Sequence, residues 1–212
     1  MRRLAPVQCV FWGHPISQGL SSIDYFISSD LYEPSDAAVA DHYHEQLIRL
    51  DGLSAYFSSP GMKLQTLLVR GAAQRHRSDT LSRLGLPSDA RLYLIPQTLM
   101  KFHPDFDKAL VSILNRDPHG VIVVTFATNQ AVWQSILETR LASAIRAPPE
   151  KSPGGGAPDV FKRTGSSRVR FLPSLDHDSF LSLLGAVDCV LDPWPFGGGV
   201  TSLEALAMGT PV

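Results

Sequence analysis

Apolar and polar positions fall into blocks along this chain, and the blocks are sharpest in its second half. Gly120 to Phe126, GVIVVTF, is a continuous apolar run of β-branched residues, the pattern of a parallel strand covered on both faces. Arg91 to Ile95, Arg168 to Leu172 and Val187 to Leu191 are further strand-like runs. Helical segments separate them. Pro104 to about Asn115 carries Phe106, Leu110, Ile113 and Leu114 on one face. Asn129 to Ile145, Asp176 to Gly185 and Thr201 to Met208 follow, the last ended by Gly209. Strand and helix alternate in this way, which predicts an α/β fold with a doubly wound parallel sheet.

The first half is less regular. Val7 to Trp12 reads as a strand, followed by the loop GHPISQGLSS and a second strand, Asp24 to Ser29. Pro34 to Gln46 reads as a helix, with Pro34 at its opening and Ser35 or Asp36 in the first turn. Leu47 to Leu50 reads as a third strand. Asp51 to Ala90 is weakly patterned, a solvated linker with one short helix before Gly85-Leu86-Pro87. Its Arg70, Arg75, Arg77 and Arg83 are candidates for phosphate contacts, although a solvated charge run explains them as well. Residues 147–167, rich in Pro, Gly and charge, are expected as a disordered surface insertion.

Charge and composition narrow the classes. The chain of 212 residues has a net charge of −1, so its bulk electrostatics favour neither nucleic acid nor an anionic membrane. No apolar run approaches the length of a membrane span. Cys9 and Cys189 both fall in predicted strands, so buried free thiols and a cytoplasmic setting, with the nucleus as an option, are expected. His42 and His44, two apart on a predicted helix, do not share a face, and no metal site is expected.

The chemistry concentrates in Val187 to Val212, VDCVLDPWPFGGGVTSLEALAMGTPV. A strand leads through a Pro/Gly turn and three glycines into a helix opened by Thr201 and Ser202. A helix start carries unsatisfied N–H donors and a partial positive charge, which suit a phosphate. A Cβ at Gly197, Gly198 or Gly199 would keep a ligand off the backbone. Glu204 points a carboxylate towards the same mouth, where it can accept from a ribose. The same strand–glycine–helix order is also an ordinary α/β connection, and no Gly-x-Gly-x-x-Gly or P-loop spacing is present.

In parallel sheets, ligands sit beyond the carboxyl ends of the strands. That rule gathers Gln97, Thr98 and Lys101 after one strand, Thr125 and Asn129 after the next, Pro173 to Phe180 after the third, and the glycines after the last. Lys101 would place a compact positive charge near a diphosphate. Phe180 is either a stacking platform for a base or a core residue. His103 is either a titrating neighbour of the site or a surface residue before a helix. Asp192, before Pro193, shapes a turn. Pro211 and Val212 read as the start of another strand, and both ends of the chain look cut.

Two separate blocks resemble a known family, in its order. IPQTLMKFHPDFD and RVRFLPSLDHDSFLSLLGAVDCVLDPWPFGGGVTSLEALAMGTPV resemble the carboxyl-terminal catalytic lobe of the O-GlcNAc transferase and SPINDLY group. APVQCVFWGHPISQGLSSIDYFISSDLYEP is similar to a late part of the amino-terminal catalytic lobe. The resemblance implies a GT-B fold of two Rossmann-like lobes, divided here into a partial amino-terminal lobe at 1–62, a linker at 63–90 and a truncated nucleotide-sugar lobe at 91–212. It implies an inverting protein O-linked glycosyltransferase that carries a sugar, GlcNAc foremost, from UDP-GlcNAc or a related nucleotide sugar (GDP-fucose in the SPINDLY branch) to Ser or Thr of an acceptor protein. It implies no metal and no cofactor besides the donor substrate, and a chain that is a fragment.

By residue, the resemblance places Lys101 on the donor diphosphate, and Gly198, Gly199, Val200, Thr201 and Ser202 around the phosphates. Glu204 falls on the ribose, and Gln97 and Thr98 on further donor contacts. Phe180 stands where the animal enzyme stacks a histidine on the base. Gly199-Val200-Thr201 replaces a His-Thr-Thr run, so one side-chain contact is missing. No general base is named. His14 is either an acceptor-side residue or a structural turn histidine. Two rival readings stand: a non-catalytic nucleotide-binding remnant, and a GT-B enzyme acting on small molecules or glycans.

Overall fold

The computed structural model describes residues 2–11, 13, 16–35, 37–53, 55, 72–146 and 168–212. The segment expected to be a disordered insertion, 147–167, lies outside them, as do His14, Asp36 and Arg70. The chain divides into two compact units, Met1–Ser58 and Ser59–Val212.

The first unit is a parallel sheet of β1 (Cys9–Phe11), β2 (Tyr25–Ser29) and β3 (Gln46–Leu50) in the order β1-β2-β3. Polar anchors set its edges. Arg3 grips Asp24 with two hydrogen bonds of 2.8 Å, and Asp24 also accepts from the Gln8 N–H. The helix expected over 34–46 is replaced by a 3-10 helix at Ala37–His42. Tyr43 packs its ring 4.6 Å from that of Phe26 and donates to Glu33, and the Gln46 N–H bonds to the Asp24 carbonyl. These ties require extended backbone where the helix would have continued. Cys9 is exposed rather than buried, and Cys189 is half-buried.

The second unit contains α1 (Ala72–Arg83), β4 (Arg91–Ile95), α2 (Pro104–Arg116), β5 (Gly120–Phe126), α3 (Ala131–Arg146), β6 (Val169–Pro173), α4 (His177–Ala186), β7 (Cys189–Val190) and α5 (Val200–Ala207). Its strands are parallel, in the order β6-β5-β4-β7. The short helix expected before Gly85 is α1, twelve residues long. Short 3-10 turns at Leu99–Lys101 and Thr128–Gln130 precede α2 and α3.

The alternation within the central strands makes the two layers. Leu92 and Leu94 of β4 and Val121 and Val123 of β5 point to one face, where Leu81 of α1, Leu181 and Leu184 of α4, and Ala205 and Met208 cover them. Ile95, Ile122 and Val124 point to the other, under Leu110 and Leu114 of α2 and Leu137 and Leu141 of α3. Each such aliphatic side chain, fully buried, contributes about 1.5–3 kcal/mol. The fold is therefore α/β with a doubly wound parallel sheet and part of a second Rossmann-like lobe, as the sequence predicts.

Guanidinium clamps tie the helices to their neighbours. Arg77 donates to the carbonyls of Ala90 and Ala186, 2.9 Å each, and pairs with Asp188 at 2.9 Å. Asp188 also accepts from the Leu92 N–H. Arg140 of α3 forks onto buried Asp107 of α2 at 2.7 and 3.0 Å. Beyond α5 the chain turns at Gly209, with φ +78°, and the Pro211 carbonyl accepts from the Val190 N–H of β7.

Candidate functional site

The site forms where α5 leaves the carboxyl end of β7. Three helices that follow strands in this sheet begin differently. His103 accepts from the Asp105 N–H and caps α2. Asp176 accepts from the Ser179 N–H at 3.0 Å and caps α4. Gly199 is the N-cap of α5, and no side chain caps that helix. The first-turn N–H groups of Val200 and Thr201 have no carbonyl one turn back, so their dipoles point into the mouth.

Lys101 and Gln97 build the opposite wall. The Lys101 ammonium donates to Gln97 Oε1 and to the Gly197 carbonyl, 2.7 Å each, and lies 4.7 Å from the centroid of the Phe196 ring. Gln97, 8% exposed, turns its amide so that Nε2 donates to Thr201 Oγ1 at 2.6 Å. A single buried amide thus connects the ammonium to the first turn of α5. An ammonium has three protons, and these two bonds leave one for a ligand. Burial pushes the Lys101 pKa down, and the nearby Asp192 carboxylate partly offsets this.

The glycine requirement is steric. A Cβ on Gly198 would lie 2.5 Å from both Gln97 Nε2 and Ser202 Oγ, and one on Gly197 would lie 2.4 Å from Asp192 Oδ2. Ser202 Oγ is buried and, among the described residues, has no hydrogen-bond partner. Such a hydroxyl costs about 1–3 kcal/mol until something bonds to it.

The other candidates fall at different distances from this cradle. Glu204 sits one turn into α5, its Oε1 2.8 Å from His177 Nε2 on α4. Thr98 is exposed and begins the 3-10 turn that carries Lys101, without a side-chain cap bond. Phe180 is half-buried and packs on the apolar layer formed by α1, α4 and α5. His103, besides capping α2, meets the Trp194 ring edge-on at 5.8 Å. Arg77 serves the clamp described above, and Arg83 is exposed.

Two features escape a reading of the sequence. Asp192 Oδ1 accepts from the Gly198 N–H at 2.6 Å, so that donor is already engaged. Asp192 does shape the turn, but by reaching six residues forward. The His177–Glu204 pair joins residues 27 apart, and the signal available is a histidine one position after an N-cap aspartate.

No protein-family model and no curated protein matches the sequence. Solved structures do resemble it. A mutant of the Thermobaculum terrenum O-GlcNAc transferase superposes with a TM-score of 0.67 at 21% identity, covering 100% of this chain and 34% of that one. The amino-terminal domain of the Candida albicans trehalose-6-phosphate phosphatase superposes with a TM-score of 0.52 at 12% identity, covering 88% of this chain and 42% of that one. The chain therefore has a glycosyltransferase-like fold and spans about a third of the length of that transferase. Among the described residues, no helix is long and apolar enough to cross a membrane.

Proposed function

We propose that the second unit binds the diphosphate of a nucleotide sugar, and that the chain is part of a protein O-linked glycosyltransferase. The observation that carries this is the Lys101–Gln97–Thr201 relay facing an uncapped helix start with an unsatisfied Ser202 hydroxyl. A helix that supplies no cap of its own, beside a cation held by neutral acceptors, is complementary to a phosphate oxygen. The fold shared with an O-GlcNAc transferase supports the same reading.

Transfer of a sugar leaves a nucleoside diphosphate with growing negative charge. Lys101 and the α5 dipole lie where that charge would collect. Preorganised donors of this kind lower a barrier by roughly 3 kcal/mol each. No divalent ion is needed in this scheme. The acceptor hydroxyl, of Ser or Thr in a protein, attacks the anomeric carbon from the opposite face, which inverts it. GlcNAc carried on UDP is the donor that fits the sequence resemblance, and Glu204 is the ribose acceptor in the same scheme.

Calorimetry of the full chain with UDP, GDP and their sugars tests the binding step. Lys101→Ala should weaken the preferred diphosphate by about 10- to 100-fold, the worth of one charge-assisted hydrogen bond. Unchanged affinity would remove Lys101 from the site. Transfer of radiolabelled sugar to a Ser/Thr peptide tests the chemistry.

A further inference from the structure

The turn before α5 carries a negative charge that the phosphate reading does not use. Asp192 Oδ1 accepts from the Gly198 N–H at 2.6 Å. Its other oxygen, Oδ2, lies where a Cβ on Gly197 would come to 2.4 Å. The carboxylate therefore sits against the glycines that border the anion cradle. Its field also reaches Lys101, where it favours the charged ammonium against the effect of burial.

A turn alone does not need this charge. Asp192 is exposed, and the Gly198 N–H would be satisfied equally well by the oxygen of a neutral amide. The two acceptors that hold Lys101 are neutral, the Gln97 amide oxygen and the Gly197 carbonyl. The site thus spares its ammonium from a direct ion pair, yet keeps a full negative charge against the loop. That charge weakens any anion in the cradle, and the penalty grows with the charge on the ligand.

The two ends of the transfer reaction differ in that respect, and this step rests on the diphosphate reading above. The acceptor oxygen bonds to the anomeric carbon and its proton goes to water. The bond from that carbon to the diphosphate breaks, and the electron pair stays on the phosphate oxygen. The freed terminal phosphate carries about one more unit of negative charge at neutral pH, because such a group ionises a second time at about pH 6. Donor and spent diphosphate share their remaining phosphate oxygens, so charge is what separates them for Asp192.

We infer that Asp192 is a specificity-determining residue that weakens the spent diphosphate more than the sugar-bearing donor, so that product leaves the cradle instead of blocking it. It acts through its charge, across the Gly197–Gly198 backbone.

The test measures dissociation constants by calorimetry for UDP, UDP-GlcNAc, GDP and GDP-fucose at neutral pH, on the full chain and on Asp192→Asn. The asparagine keeps an oxygen for Gly198 and removes the charge. It should tighten the bare diphosphate about three- to tenfold more than the sugar nucleotide of the same base. Raising salt from about 0.05 to 0.5 M should shrink that difference by at least about half, which a loss of packing would not do. Asp192→Glu, which returns the charge, should bring the ratio of the two affinities back towards that of the unaltered chain. Equal tightening of both ligands, weakening of both, or no change would overturn the inference and leave the cradle standing. Binding of no nucleotide to the unaltered chain, or an unchanged diphosphate affinity in Lys101→Ala, would overturn the underlying reading and this inference with it.

Discussion

Helices α4 and α5 both start at the carboxyl edge of the same sheet, yet one is closed and the other open. α4 begins on Asp176, whose carboxylate accepts from the Ser179 N–H at 3.0 Å and from the Ser179 hydroxyl at 2.7 Å. α5 begins on Gly199 with no side-chain cap on its first-turn N–H groups. The first helix carries its own anion and needs no other. The second presents the same kind of dipole to the outside, with Lys101 fixed across from it.

The most disruptive way to break this contrast is to give α5 the cap that α4 has. Gly199→Asp would bring a carboxylate to the free N–H groups and set it against an incoming phosphate. Calorimetry should show at least a roughly 100-fold loss of diphosphate affinity, since like charges in close contact cost several kcal/mol. The melting temperature should stay level or rise slightly, because aspartate caps at least as well as glycine. Gly198→Ala attacks the same mouth by volume. Its methyl group would press on Gln97 and Ser202, costing about 1–3 kcal/mol of stability in a denaturant titration and weakening the ligand by displacing the amide that orients Lys101.

The reverse substitution sharpens the comparison. Asp176→Ala removes the cap of α4 and should lower the melting temperature by roughly 2–4 °C, with diphosphate affinity unchanged. The smallest effect is one of pH. The Ser179 N–H, then its hydroxyl, hold the Asp176 carboxyl below its ordinary value of 3.8. A carboxylate lowered on folding stabilises the fold above its unfolded value, and the stabilisation is lost as pH falls through the lower, folded value. Melting curves taken from about pH 5 downwards should therefore decline less steeply in Asp176→Asn than in the unaltered chain.

The legible parts of the sequence were those with a local cause. GVIVVTF could be read as a buried strand because both faces of β5 are covered, and Pro104 marked the first residue of α2. Gly197 and Gly198 stood out as bare backbone open to a ligand, and Lys101 as a charge on the same edge; that a Cβ there would also strike Asp192, Gln97 or Ser202 was not legible. Long-range partners were not legible. Nothing local to Gln97 says that its amide will join Lys101 to Thr201, 104 positions away. Asp192 reads as a turn residue, but which N–H it will take depends on how the loop closes. The Pro34–Gln46 stretch shows the opposite failure, where a plausible helical pattern yields to Tyr43 packing and strand pairing. A lone aromatic such as Phe180 satisfies a core position and a stacking position equally well in sequence, and here its ring packs on the apolar layer.

Arg77 has a consequence for how this unit can change. Its guanidinium gathers the chain just before β4 and the chain just before β7, at the ends of the strands remote from the cradle. The anchorage of the scaffold and the loops at the opposite end of the sheet are thus physically segregated. Loop residues such as those around Trp194 are free to change in identity without unfastening the sheet that carries them.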